Sequence, residues 1–259
     1  MSKEISNKNI ILILAGGLGK RMNSELPKVL HLLKNKPLLV HVIETSLQLN
    51  PAKIGIIVGK YKNIIESTVS KYIADVHSSK IEYIIQPEAL GTGHAIMCCK
   101  EFLSNNASEN TQVTILSGDV PLIRSNTLKQ LSKALSEHEA TILVNKLNDP
   151  YGYGRIITET EKEKEKDKDT FIKIVEEKDC NDEEKKVKIV NSGIYALKCN
   201  TILDNIEKIT NNNNQKEYYL TDIFNFIDNQ NITLHHLDNI YEVMGVNTPE
   251  QLKMLEEHY

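Results

Sequence analysis

A glycine-rich segment near the start of the chain carries the residue types best suited to binding a phosphate. It reads LAGGLGKRM over residues 14–22 and directly follows an apolar run. Glycines let the backbone turn sharply and bring its N–H groups close to a ligand anion. The composition therefore predicts a phosphate-binding loop, and the alternative is a turn with a purely structural role.

Two well-known phosphate motifs do not match this segment. A dinucleotide-binding fingerprint requires a third glycine where Met22 stands, and a P-loop requires Gly at Leu14 and Ser or Thr at Arg21. Charge favours a ligand role, because Arg21 and Lys28 place two cations in and just after the loop. An arginine presents a planar fork to phosphate oxygens, and a lysine presents a point charge. The alternative interpretation makes both of them solvated surface cations.

Asp119 is a candidate metal ligand. It follows a strand-like run at residues 112–117, and open α/β sheets bind their ligands at the carboxyl ends of their strands. One carboxylate is too few for a metal site built from protein alone. Mg²⁺, however, commonly takes one or two protein ligands together with phosphate oxygens and water. The alternative is that Asp119 is a turn residue.

The first half of the chain alternates short apolar runs with amphipathic stretches. We expect strands at residues 10–15, 54–58, 81–86 and 112–117, and helices at residues 37–49, 63–73, 93–103 and 125–135. The first run is apolar at every residue, which is typical of a strand buried on both faces of a parallel sheet. The pattern predicts an α/β fold with a doubly wound, mostly parallel, Rossmann-like sheet.

The second half is richer in strand-like segments. We expect strands at residues 141–147, 155–158, 171–176 and 188–197. They predict a mixed or antiparallel extension of the sheet, suited to covering a ligand. We divide one domain of residues 1–259 into a first half at 1–140, a second half at 141–247 and a C-terminal helix at 248–259.

Composition disfavours several classes of protein. The chain has 31 Lys and Arg against 35 Asp and Glu, a net charge of −4, and no basic stripe of the kind that binds nucleic acid. The longest apolar runs are strand-sized, and the polar N-terminus lacks the apolar core of a signal peptide. Four cysteines without metal-binding spacing favour free thiols in a reducing compartment. We therefore expect a cytoplasmic protein that binds neither nucleic acid nor a membrane.

Further motifs follow the glycine loop along nearly the whole chain. They are LPKVL at 26–30, QPEALGTGHA at 86–95, SGDVPL at 117–122, YGYGRI at 151–156, IVEEKD at 174–179, NSGIY at 191–195, EYYLTD at 217–222 and GVN at 245–247. Each motif alone is weak. In this order they resemble the sugar-1-phosphate nucleotidyltransferases, and within them the pyrophosphorylase domain of N-acetylglucosamine-1-phosphate uridyltransferases.

The resemblance implies that UTP and N-acetylglucosamine 1-phosphate react to give UDP-N-acetylglucosamine and pyrophosphate, with Mg²⁺ as cofactor. It implies that Arg21 holds the leaving phosphates, that Lys28 lies near the reacting phosphates, and that Asp119 and Asn247 ligate Mg²⁺. The implied nucleotide-binding residues are Leu14, Ala15, Gly16, Gly17, Gly19, Gln86, Gly91, Thr92 and Asp119. The implied sugar-binding residues are Gly154, Glu176, Asn191 and Thr221.

Several implied contacts have simpler interpretations. The amide of Gln86 suits the edge of uracil and the glycines of residues 91–93 would admit a flat ring, but a strand-to-helix turn explains those glycines equally well. Glu176 and Asn191 pass for hairpin residues in isolation. Asn247 is a plausible helix N-cap before the sequence TPE at 248–250.

The implied chemistry requires no general base. A phosphate monoester has a second pKa of about 6, so the attacking sugar phosphate is already an anion at neutral pH. The obstacle is the approach of one anion to another, which positioning and cations relieve. This agrees with the lack of a nucleophile–base constellation in the sequence.

Three alternatives remain at this stage. The double glycine at Gly16 and Gly17 is more typical of related thymidylyl- and guanylyltransferases, so one alternative is transfer to another sugar or from another base. A second is a catalytically dead module of the same fold, and the presence of Arg21, Lys28, Asp119 and Asn247 together argues against it. A dehydrogenase is disfavoured by the missing third glycine. The bifunctional members continue into hexapeptide repeats, and we expect no such acetyltransferase domain within these residues.

The alternating charges of residues 161–169 predict a solvated hairpin tip with no apolar face. Replacing this run by a short glycine-containing turn should leave the melting temperature nearly unchanged, because exposed ion pairs contribute only about 0–1 kcal/mol. Thermal unfolding followed by circular dichroism measures this. A drop of more than about 4 °C would contradict the prediction.

Overall fold

The computed structural model describes residues 8–17, 19–22, 24–162 and 167–259. Within these residues, nine strands form one sheet and two short strands form a separate hairpin. The strands are β1 (Asn9–Leu14), β2 (Leu32–Leu33), β3 (Lys36–Pro37), β4 (Lys53–Val58), β5 (Ile81–Ile85), β6 (Gln112–Ser117), β7 (Ala140–Lys146), β8 (Arg155–Lys162), β9 (Asp167–Val175), β10 (Ile189–Lys198) and β11 (Ile232–Leu237).

The main sheet confirms the predicted fold class. Its strand order is β11-β7-β10-β6-β1-β4-β5, with the β8–β9 hairpin paired to β10. Strands β6, β1, β4 and β5 are parallel, whereas β10 runs antiparallel to both β6 and β7. From β1 the chain continues to β4 on one side of β1, whereas β6 lies on the other side of β1. The position outside the carboxyl ends of β1 and β6 is therefore a topological switch point, where open α/β sheets bind ligands.

The apolar composition of β1 follows from burial on both faces. Ile10 and Leu12 pack into one hydrophobic core, and Ile11 and Ile13 pack into a second core on the opposite face. All four side chains are fully buried. Because successive side chains of a strand point to opposite faces, a strand covered on both sides must be apolar at every position.

Helices cover both faces of the sheet. They are α1 (Leu38–Leu47), α2 (Lys62–Val69), α3 (Asp75–Ser78), α4 (Thr92–Met97), α5 (Lys100–Asn106), α6 (Ser125–Lys133), α7 (Cys199–Asn205) and α8 (Pro249–Glu257). The structure places all the predicted helices, but it divides one of them and shortens another. The predicted helix at 93–103 is divided into α4 and α5 at Cys98 and Cys99, and the one at 63–73 ends at Val69.

Pro37 does not begin α1, which corrects the predicted start. Its φ of −56° and ψ of 141° are extended rather than helical, and its backbone pairs with Leu32 in the β2–β3 hairpin. Proline fixes only φ, so the same residue serves the end of a strand as well as the first turn of a helix. The helix starts at the next residue, Leu38.

The hairpin of β8 and β9 is longer than the sequence predicts. Both strands continue into the charged run, where Glu161 pairs in register with Lys168 and Lys162 with Asp167. Backbone pairing between strands does not require apolar side chains, so a charged run can form it. The rest of the predicted tip, residues 163–166, lies outside the described residues.

The short elements β2, β3 and α3 were not predicted, and neither were β11 and α7. β11 adds to the edge of the sheet parallel to β7. None of the described helices is long and apolar enough to cross a bilayer. The four cysteines are free thiols, as expected, and burial raises the pKa of Cys199 to about 11.

Candidate functional site

The glycine loop after β1 folds back against Lys28. Gly19 has a φ of +59°, and a Cβ at this position would lie 2.6 Å from the Cβ of Lys28. Any other residue would be strained and would displace the lysine. The loop is anchored beyond this point, because Met22 is buried and its N–H donates to the carbonyl of Gly19. The glycine therefore sets the position of the lysine rather than only bending the chain.

Lys28 lies between the two predicted metal ligands. Its Nζ donates to Oδ2 of Asp119 and, at 2.9 Å, to Oδ1 of Asn247. The N–H of Val246 donates to the backbone carbonyl of Asp119 at 2.9 Å, which fixes the loop carrying Asn247 beside the end of β6. The Lys28 and Asp119 side chains are 16% and 14% exposed, so this ion pair is largely shielded from solvent.

The interpretation of Asn247 as a helix cap is wrong. The N-cap of α8 is Thr248, whose hydroxyl accepts a hydrogen bond from the N–H of Gln251. Asn247 is tied to the helix differently, because its own N–H donates to Oε1 of Gln251 at 2.8 Å. Its side-chain oxygen is thus left to face Lys28.

A cleft of about 320 Å³ opens at the carboxyl ends of β1 and β6. Eight candidate residues line it: Leu14, Gly16, Gly17, Lys28, Gln86, Gly91, Thr92 and Asp119. Sequence reasoning missed Ser117 and Glu217, which also line the cleft. Ser117 is the last residue of β6, a position at which a cleft contact is expected; Glu217 comes from a distant segment and has no comparable signal.

Gln86 is held at the wall of this cleft. It is buried, and its Nε2 donates to the carbonyl of Gly91 at 3.0 Å. A Cβ on Gly16 would approach Oε1 of Gln86 to 3.2 Å, so the glycine loop and this amide are in close contact. The amide is therefore oriented before any ligand binds.

Gly91 and Gly93 allow two segments of the chain to pack closely together. This favours the interpretation of these glycines as a structural turn over the one in which they admit a flat ring. A Cβ on Gly91, whose φ is +112°, would lie 2.5 Å from the carbonyl oxygen of Tyr218. The N–H of Gly93 donates to the same carbonyl at 2.7 Å. These glycines let the segment of Tyr218 pack against the start of α4, which brings Glu217 to the cleft.

A second cavity, of about 230 Å³, contains all four predicted sugar-binding residues, Gly154, Glu176, Asn191 and Thr221. It shares Leu14, Thr92 and Ser117 with the first cleft, so the two cavities adjoin. The hydroxyl of Thr92 accepts a hydrogen bond from the N–H of Leu220 at 3.0 Å, which fixes the shared wall.

Glu176 and Asn191 are oriented by neighbouring polar groups. The hydroxyl of Thr221 donates to Oε1 of Glu176 at 3.0 Å. Nδ2 of Asn191 donates to the hydroxyl of Tyr195 at 2.7 Å, and its Oδ1 accepts from the N–H of Gly193. Tyr195 is a buried member of this cavity that the sequence analysis did not name.

Burial raises the pKa of Glu176 above its ordinary value. Nearby Asp222, Asp179 and Glu217 raise it further, and the hydrogen bond from Thr221 acts in the opposite direction. The carboxyl group is therefore less easily ionised than a solvent-exposed glutamate.

Four of the candidate nucleotide-binding, catalytic and metal residues do not line the first cleft: Ala15, Gly19, Arg21 and Asn247. Arg21 is exposed and lines a wider depression together with Glu176 and Lys178. Ala15 is buried in the core, and its N–H donates to the carbonyl of Ile57. The structure thus brings Lys28, Asp119 and Asn247 together but does not place Arg21 with them.

The chain is similar to known nucleotidyl transferases over most of its length. The family described as nucleotidyl transferase matches residues 10–241. A probable UDP-N-acetylglucosamine pyrophosphorylase of Acanthamoeba polyphaga mimivirus is 39% identical over 97% of this chain and 96% of its own length. A bifunctional protein GlmU of Thermosipho melanesiensis is 43% identical over 95% of this chain, which spans only 49% of that relative.

A solved structure shares the fold at lower sequence identity. UDP-glucose pyrophosphorylase complexed with UDP-glucose has a TM-score of 0.75, with 97% of this chain and 98% of that chain covered. Its sequence identity of 17% limits the likeness to the fold.

The raised pKa of Glu176 predicts a pH-dependent effect of Glu176→Gln on stability. A carboxyl whose pKa is raised on folding contributes stability below its unfolded pKa, and this contribution is lost as the pH rises through the folded value. Glutamine carries no charge at any pH. The variant should therefore gain melting temperature relative to the wild type at pH 7.5, and the gain should shrink toward pH 4. Differential scanning calorimetry across this range measures it, with the exposed Glu183→Gln as control. An identical difference at both ends of the range would contradict the prediction.

Proposed function

The chain belongs to the nucleotidyl transferase family, and we propose that it transfers a uridylyl group from UTP to N-acetylglucosamine 1-phosphate, giving UDP-N-acetylglucosamine and pyrophosphate. The observation that carries the proposal is the pair of adjoining cavities with a shared wall, one of them containing a lysine held between two oxygen ligands. Two substrates that react with each other need two such neighbouring sites. The similarity to a probable UDP-N-acetylglucosamine pyrophosphorylase supports this choice of substrates.

The first cleft is the proposed nucleotide site. Gly16 and Gly17 bring backbone to the cleft without side chains, so phosphates can approach closely. The oriented amide of Gln86 lies on the same cleft, where it can pair with the edge of a base. Lys28 offers its positive charge to the phosphates from the floor of the cleft.

The second cavity is the proposed sugar site. Glu176 and Asn191 offer carboxylate and amide groups to sugar hydroxyls and to an acetamido group, and their orientation is fixed by Thr221 and Tyr195. Few polar groups in fixed positions are enough to orient a ligand of this size.

The proposed chemistry rests on positioning and charge. The sugar phosphate needs no deprotonation, because a phosphate monoester is already an anion at neutral pH. The shared wall of the cavities, which includes Thr92, would place that anion next to the nucleotide phosphates. The ammonium of Lys28 offsets the negative charge that builds up as the anions meet and as pyrophosphate leaves. We propose the same task for Arg21 at the outer phosphates, from its exposed place beside Glu176.

Mg²⁺ fits the oxygen atoms that surround Lys28. The described residues contain no cluster of three or more His, Cys, Asp or Glu that could hold a metal. Oδ2 of Asp119 and Oδ1 of Asn247 nevertheless converge on a single cationic atom, Nζ of Lys28. Hard oxygen ligands of this kind suit Mg²⁺ when a nucleotide supplies further oxygens. We propose that Asp119 and Asn247 would hold the ion once Nζ of Lys28 has moved from these oxygens to the phosphates, and that the ion would then supply charge to the phosphates.

Free thiols favour a reducing compartment, and we propose the cytoplasm as the place of action.

A release assay tests the proposed substrates. With UTP, Mg²⁺ and N-acetylglucosamine 1-phosphate the protein should release pyrophosphate, measured by a coupled enzyme assay. The controls are the other three nucleoside triphosphates and glucose 1-phosphate. Faster release with another base or sugar would replace the stated substrates, and no release with any pair would favour a catalytically dead module.

Substitution of the two proposed ligands should weaken Mg²⁺ binding to different extents. Asp119→Ala removes the only charged ligand and should lower the rate at least on the order of 10²–10³-fold. Asn247→Ala removes a neutral oxygen that water can partly replace, so its loss should be smaller. Both should shift half-saturation by Mg²⁺ to higher concentration, and the double variant should lose less than the two losses combined, because the second ligand contributes little once the first is gone.

Thr248→Ala is the matched control for this series. It removes the cap of α8 and should cost about 1 kcal/mol of stability, while leaving half-saturation by Mg²⁺ unchanged. The shared metal site would be contradicted if Asn247→Ala lowered the melting temperature as Thr248→Ala does and left the Mg²⁺ titration unmoved.

A further inference from the structure

Arg155 is a buried charge beside the second cavity. It is the first residue of β8, and only 2% of it is exposed. Arginine is rarely buried to this extent unless it is paired. Its Nε has no hydrogen-bond partner among the described residues, so hydrogen bonds do not fully offset the free-energy cost of burying the charge. Because burial of this charge is unfavourable by itself, the groups that Arg155 binds are of interest.

The two partners of Arg155 lie at or next to the second cavity: Tyr153 lines it, and Glu177 follows Glu176, which lines it. NH2 of Arg155 contacts Oε2 of Glu177 at 2.7 Å, and NH1 donates to the backbone carbonyl of Tyr153. The same Oε2 of Glu177 accepts a hydrogen bond from the N–H of Gly152 at 3.1 Å. One carboxylate oxygen thus binds both the buried arginine and the loop that precedes it.

These contacts join two walls of the cavity. Gly152 and Gly154 form one wall as bare backbone, and Glu176, adjacent to Glu177 in the chain, forms the other. Gly152 has a φ of +84°, and a Cβ there would meet nothing within 4 Å. A loop with two glycines and open space at one of them has little stiffness of its own, so its position must be imposed by its partners.

We infer that Arg155 and Glu177 are positioning residues for the sugar phosphate, which hold the backbone of Gly152 and Tyr153 at a fixed distance from Glu176, whereas the carbonyl of Gly154 is held by the N–H of Asn191. The inference rests on the proposed function, because it assigns the second cavity to the sugar. Stability alone does not account for the pair, since well-packed apolar residues commonly replace a buried ion pair without loss of stability. An apolar pair would not bind the N–H of Gly152 or the carbonyl of Tyr153.

The inference predicts an effect on one substrate only. Neither Arg155 nor Glu177, nor any residue of the loop between 152 and 154, lines the nucleotide cleft. Gly152 and Glu177 do line the depression of Arg21, but there they bind each other, and no hydrogen bond among the described residues joins them to Arg21. Loosening the loop should therefore raise the KM for the sugar phosphate and leave the KM for UTP unchanged. A purely structural pair would affect both constants, or neither.

Glu177→Gln is the variant that tests this. It keeps the shape of the side chain and removes the charge that pairs with Arg155. We expect the KM for N-acetylglucosamine 1-phosphate to rise about tenfold, since small displacements of positioning groups have effects of this order or greater. The KM for UTP should stay within about twofold of the wild type. Arg155→Lys keeps the charge but not the forked geometry, and it should raise the same constant by a smaller factor.

Glu184→Gln is the matched control. It makes the same chemical change in another ion pair that joins this hairpin to its flanking turn, where Lys173 Nζ lies 2.8 Å from Glu184 Oε1. Glu184 lines neither cavity. Its loss should leave both KM values unchanged.

The outcomes separate the two proposals. No pyrophosphate release by the wild type with any sugar phosphate would overturn the proposed function and this inference with it. If the wild type is active, an unchanged sugar-phosphate KM in Glu177→Gln, or an equal rise in the KM for UTP, overturns only the inference. A selective rise in Glu177→Gln that is absent in Glu184→Gln supports it.

Discussion

The contact of one ammonium with two oxygens organises the centre of this molecule. Lys28 reaches Asp119 at the end of β6 and Asn247, which is 219 residues further along the chain. Lys28 occupies the space that a side chain at position 19 would need. The N–H of Val246 donates to the backbone carbonyl of Asp119, which brings Asn247 within reach of the lysine. Three distant segments therefore meet at one positive charge. An isolated buried charge would be costly, and here each oxygen that approaches it reduces that cost.

The antiparallel strand β10 connects the second cavity to the contact of Lys28 with Asp119. β10 pairs with β6, whose end carries Ser117 and Asp119, and β10 itself carries Asn191. The strand thereby fixes the second cavity to the first through backbone hydrogen bonds. The two halves into which we divided the chain are joined by this pairing and by the bond between Val246 and Asp119, so their relative position does not depend on a flexible linker.

The sequence predicts best what is local. The strand at Gln112–Ser117 follows from an apolar run, whereas β11, with the sequence ITLHHL, was missed because two histidines interrupt its pattern. Candidate residues were found one by one, but their meeting was not predictable from composition or spacing, since it depends on the sheet register and the path of the C-terminal loop. Arg155 lies within the motif YGYGRI, and the sequence alone indicates no role for it, because a charged residue is expected at the surface. Its burial depends on Glu177, which only the folded chain brings into contact.

The shared wall of Leu14, Thr92 and Ser117 has a consequence for turnover. Each proposed substrate occupies one cavity and can leave it independently. The proposed product contains both halves in one covalent molecule, so it must give up the contacts of both cavities at the same time. Departure of the nucleotide sugar is then slower than departure of either substrate, and product release becomes a natural candidate for the slowest step of the cycle.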